Sequence, residues 1–157
     1  QRLLEIALPL FREKGYFKED NFDRNKLQDL IKLYQGRVNT VCELIERPKF
    51  FFTDALELSP EAEAKLKEGD VSAGFKALKE AFSRVSNFDH ESVERVFRET
   101  IERLNIKSKL LIHPLRAAVT GTLVGPGLFE VIALLGKDTV CKRLDRAIDF
   151  IGVSKGE

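Results

Sequence analysis

The sequence predicts an all-α chain of eight to nine helices with short connections. Three observations carry this. Apolar residues recur every three or four positions along nearly the whole chain. Gly, Pro and N-capping residues fall where each such run should start or stop. No segment alternates apolar and polar residues as a half-buried strand does.

Residues 1–14 set Leu3, Leu4, Ala7, Leu8, Leu10 and Phe11 on one broad face, and Gly15 ends the run. Residues 23–34 repeat the period with Leu27, Leu30, Ile31 and Tyr34, and Gly36 breaks it. Residues 37–46 carry Val38, Val41, Cys42 and Ile45; Pro48 stops that helix, because the residue before a proline is pushed toward extended geometry. Phe50, Phe51 and Phe52 are too close in sequence to share one helical face, so they are assigned to core between two apolar surfaces. A joint between two subdomains is expected here, dividing the chain into 1–54 and 55–157.

Ser59-Pro60-Glu61 is a strong helix start: a capping hydroxyl, Pro at the first helical position and an acid in the first turn. Gly69 closes that helix. Residues 71–85 are amphipathic through Val71, Phe75, Leu78, Phe82 and Val85. Asp89 with Ser92 opens the next helix, which turns Val93, Val96, Phe97, Thr100, Ile101 and Leu104 inward. A helix from about Leu110 to Thr120 carries Pro114 in its first turn or at a kink, and Gly121 ends it. Residues 122–127 form a loop whose Gly125-Pro126-Gly127 reads as a tight turn, Pro setting φ and Gly127 tolerating a positive one. Leu128–Leu135 is short and apolar. Asp138 caps the last helix, with Val140, Cys141, Leu144, Ala147, Ile148 and Ile151 facing in.

With 157 residues, 43% of them apolar and 32% charged, the chain has the balance of a soluble globular domain or two small ones. No apolar run reaches the roughly 20 residues of a membrane helix. Without an initiator Met or a signal pattern, the sequence reads as part of a longer protein. Cys42 and Cys141 at apolar helical positions fit reduced core residues in a cytoplasmic protein. The net charge of +1 predicts no nucleic-acid partner, but its distribution is compatible with phosphate contacts as well as with a plain solvated surface. Between Arg103 and Arg146, eight Lys/Arg face Glu130, Asp138 and Asp145, a local excess of eight minus three, or +5. Between Glu57 and Glu80, four bases face six acids, or −2.

The residues assemble no catalytic constellation. His90 and His113 lie far apart, with no Cys or acid at ligand spacing, so no metal site is expected. No phosphate-cradling Gly-rich loop occurs. What remains is a helical scaffold presenting arginines and loop residues. Such a scaffold suits single-stranded RNA, whose unstacked bases are read by their edges while Lys and Arg hold the backbone. The competing class is a helical protein-interaction module, which needs an exposed apolar groove.

Several motifs are similar to one family in order and spacing: LIKLYQGRVNTVCEL, then FFFTD, then Pro114-Leu115-Arg116, then Pro126-Gly127-Leu128-Phe129-Glu130, then Leu134-Leu135-Gly136-Lys137. Together they resemble the C-terminal anticodon-binding region of bacterial-type glutamyl-tRNA synthetases, which are class I enzymes. The resemblance covers nearly the whole chain. It implies a two-part helical anticodon-binding domain that is itself non-catalytic. It also implies a parent whose upstream catalytic domain joins glutamate to tRNA, glutamate-accepting alone or glutamine-accepting too, using ATP and magnesium, and no cofactor in this fragment; a monomer is the default expectation. Arg37 matches the position that probes the third anticodon base, and Arg116 the arginine facing the anticodon loop. Pro126 and Leu128 match positions that pack on anticodon bases. His113 and Gly125 stand where the family often has Gln and a hydroxyl residue. Lys107-Ser108-Lys109 looks like the KMSKS loop of class I synthetases, but no His-x-Gly-His accompanies it. It is read instead either as a solvated loop or as one whose lysines touch tRNA phosphates.

Overall fold

The computed structural model describes residues 2–14, 24–35, 40, 50–51, 56–68 and 71–155, and all structural statements below concern these. They form eight helices and no strand. The helix expected over 37–46 lies outside the described residues. The chain divides into two compact units, Gln1–Leu56 and Glu57–Glu157.

In the first unit, α1 (Arg2–Glu13) packs on α2 (Arg24–Gln35). Ala7 and Phe11 of α1 are fully buried, as the period requires, and Leu27, Leu30, Ile31 and Tyr34 of α2 are buried too. Phe50 and Phe51 are half-buried rather than core residues. Three adjacent rings leave too few directions for all to face inward.

The second unit holds α3 (Pro60–Glu68), α4 (Ser72–Ser83), α5 (His90–Leu104), α6 (Ser108–Thr120), α7 (Leu128–Leu135) and α8 (Lys137–Lys155). The long α8 packs against α4, α6, α3 and α7, while α5 is gripped between α4 and α7 and α6 packs on α3. Phe75, Leu78, Phe82, Leu115, Ile132, Val140 and Leu144 are fully buried at these contacts. Phe97 of α5 meets Phe129 of α7 with ring centroids 5.3 Å apart.

Two helix starts follow their sequence signals closely. The Ser59 Oγ accepts from the Ala62 amide at 3.1 Å. The Asp89 carboxylate accepts from the Ser92 amide at 2.8 Å. Two others depart from expectation. α6 begins at Ser108, two residues early, so Pro114 lies within the helix instead of its first turn. Pro114 has no amide hydrogen, so the helix forgoes the bond to the carbonyl of Leu110. Asp138 sits inside the first turn of α8 and does not cap it, because Gly136, at φ 91°, joins α7 to α8 directly. Cys141 carries a free thiol and is half-buried, and burial pushes that thiol's pKa up. No helix is long and apolar enough to cross a membrane.

Phe97→Ala should cost about 3–5 kcal/mol in urea unfolding, as removal of a packed aromatic does. Arg98→Ala, which breaks only an exposed pair with Glu94, should cost at most about 0.5 kcal/mol. The hydrogen bond from the Ser92 amide holds the Asp89 carboxyl below its ordinary value. Its stabilisation is therefore full above that ordinary value and is lost as pH falls through the lowered folded one. The stability gap between wild type and Asp89→Ala should be wide at neutral pH and should close in acid.

Candidate nucleic-acid interface

α6 and the loop after it organise the site. Lys109, His113 and Arg116 stand at i, i+4 and i+7, so they form one row along the helix. Lys109 and His113 are exposed, and Arg116 is half-buried where the row meets the loop. Lys107 precedes the helix in extended geometry (φ −72°, ψ 136°), and the first turn contains no acid. Ser108 and Lys109 are thus helical, not part of a solvated loop; the lysines sit at the positive end of the helix dipole, which favours an anion there.

The helix ends at Gly121, whose φ of 82° is left-handed, and the Gly121 amide bonds the Ala117 carbonyl at 2.9 Å. Thr120 Oγ1 donates to the Arg116 carbonyl at 2.8 Å and accepts from the Thr122 amide at 3.2 Å. Thr122 Oγ1 donates to the Val124 carbonyl at 2.9 Å. At the far end, Arg116 Nη1 donates to the Pro126 carbonyl at 2.8 Å. The guanidinium therefore reaches over the loop and fastens its exit.

This geometry requires Gly125. Its φ of 153° lies where side chains are strained, and an added Cβ would stand 3.3 Å from Arg116 Nη1. The expected positive φ at Gly127 is not found: Gly127 has φ −50° and leads into α7. The unusual conformation falls instead on Gly125, against which Arg116 packs.

Pro126 is buried and Leu128 is only 5% exposed, so their side chains serve turn and core in this conformation. The loop presents Thr122 and, above all, Val124, which is 78% exposed. Sequence reasoning did not single out Val124, although an apolar residue between Leu123 and a Gly-Pro-Gly turn was a usable signal. It also missed Arg143, which spacing had hidden among the surface cations of α8. Arg37 lies outside the described residues.

The charge excess is smaller at the surface than in the sequence. Arg116 and Arg143 donate to backbone carbonyls, of Pro126 and Val119. The groove between α4 and α8, about 640 Å³, mixes charges: Lys76, Lys79 and Glu80 on one side, Asp145 and Asp149 on the other. There the Asp145 carboxylate, 2.7 Å away, raises the pKa of Lys79. This lining suits neither an apolar partner helix nor a phosphate chain. No described group of three or more His, Cys, Asp or Glu is placed to hold a metal ion.

The second unit is thus a helical scaffold with a polar and basic row running into a fastened loop. The chain belongs to the anticodon-binding domain family: the profile described as "Anticodon binding domain" matches residues 2–148. A glutamate–tRNA ligase of Syntrophobacter fumaroxidans is 38% identical over 99% of this chain and 33% of its own length. One from Desulforudis audaxviator is 34% identical over 98% of this chain and 32% of its own. The crystal structure of a glutamate tRNA ligase from Elizabethkingia meningosepticum matches 93% of this chain and 29% of its own, with TM-score 0.77 and 25% identity. The chain thus spans about a third of the length of the curated relatives it matches.

Gly125→Ala should destabilise the second unit by about 1–3 kcal/mol, the usual cost of a strained backbone conformation. Urea unfolding measures this. Gly152→Ala, where an added Cβ meets nothing within 4 Å, should not destabilise the chain.

Proposed function

We propose that this chain reads the anticodon of a glutamate-accepting tRNA as part of a glutamate–tRNA ligase. The row Lys109, His113, Arg116 leading into the loop at 121–127 is the observation that carries the reading. It offers cations for phosphates and an exposed loop for unstacked bases, the two things single-stranded RNA recognition needs. The whole protein would join glutamate to tRNA with ATP and magnesium, through residues outside this chain. It would act in the cytoplasm as a monomer. Of the two subdomains, 1–54 and 55–157, the first would supply Arg37 to probe the third anticodon base.

Individual roles follow from exposure. Lys107 and Lys109 meet phosphates beside the α6 N-terminus. His113 and the tip of the loop at Val124 meet bases. Arg116 keeps Gly125 and Pro126 in shape while facing the same RNA. Pro126 and Leu128 support the loop from beneath, and reach bases only if the loop opens.

A titration at low salt tests this, with glutamate tRNA and a matched transcript whose third anticodon base is changed from C to G. The chain should prefer the unaltered tRNA, with log K falling by about 0.7 per neutralised phosphate for each unit of log salt. Arg116→Ala should weaken binding by roughly 1–3 kcal/mol. Binding that ignores both anticodon and salt would contradict the reading.

A further inference from the structure

Among the described residues Arg143 is the only buried charged side chain, at 4% exposed. Burying a guanidinium is costly unless its donors are met. It projects from the middle of α8, and its Nη1 donates to the Val119 carbonyl. That carbonyl is one of the last four of α6, which have no partner within the helix. Its helical donor would have been the Leu123 amide, already inside the loop. From another side the Ser59 amide donates to the Gly121 carbonyl at 2.8 Å. The entry to the loop is therefore held by two elements distant in sequence, and Arg143 is the part of that hold made by a side chain.

We propose that Arg143 is a positioning residue for anticodon reading. It fixes the entry of the loop at 121–127 so that the loop meets RNA in one conformation, and it touches no nucleotide itself. The inference rests on the reading of that loop as the anticodon-facing surface. A loop held before binding loses less conformational freedom when it binds, and that difference appears as affinity and selectivity.

The test compares the 157-residue chain with Arg143→Met and Arg143→Lys. Amide hydrogen exchange comes first, without RNA. In Arg143→Met the amides of Gly121, Thr122 and Ser59, whose hydrogen bonds close the entry of the loop, should exchange roughly tenfold faster, with α4 and α5 unchanged. The preference for glutamate tRNA over the anticodon-altered transcript should fall about tenfold, the scale set by losing one buried hydrogen bond. The salt dependence should stay as in wild type, because no phosphate contact is lost. Arg143→Lys, which keeps charge and stem without the planar fork, should recover part of both effects. A general loss of stability would lower the fraction of active protein and leave the preference of the folded fraction intact; that outcome overturns the proposal. So does unchanged exchange in the loop. Faster exchange in the variant, with no preference even in wild type, overturns the anticodon reading and leaves the hold of Arg143 on the loop standing. Should Arg143→Met fail to fold, Arg143→Lys gives the same two readouts.

Discussion

The last carbonyls of α6 are the constraint on which the second unit depends. A helix that stops inside a packed domain must hand its orphan carbonyls to partners from elsewhere. Here the partners come from far along the chain: Arg143 for Val119, and the Ser59 amide for Gly121. Those bonds tie α6 to α8 and to the start of α3. The left-handed Gly121 and the Thr120 hydroxyl then direct the chain out into the loop. The loop begins from a fixed point because three separate parts of the unit meet there.

This explains how the arginines divide their work. One enters the protein from α8 to close the end of a helix; the other leans from α6 over Gly125 to close the end of a loop. Both are cations whose guanidinium forks serve the backbone, where a lysine would serve less well. Lys107 and Lys109, at the start of α6, stay exposed. The loop is thus shaped by hydrogen bonds to its backbone and flanked by solvated charge.

Much of the fold was legible because helical spacing and capping chemistry are local. Ser59-Pro60-Glu61, Asp89 with Ser92, and Gly121 each mark an end that the structure places within a residue or two. The early start of α6 was not legible, because Pro114 and the lysines before it read locally as a break. The position of the positive φ was missed for a related reason: in Gly-Pro-Gly either glycine can take it, and only the packing of Arg116 against Gly125 decides between them. Motif order pointed to α6 and its loop, and not to their inner support. Arg143 looks like any other cation in a basic helix, and nothing in its neighbours reveals that its partner carbonyl lies 24 residues earlier.

The most direct test is chemical-shift mapping of the chain by NMR, with the isolated anticodon stem-loop of glutamate tRNA as ligand. The account predicts the largest changes at Lys109, His113, Arg116 and the amides of Thr122 to Gly125. Smaller changes would follow at Val119 and Arg143, which are coupled to the loop but do not touch the ligand. Changes centred on the groove between α4 and α8, with the loop silent, would contradict it.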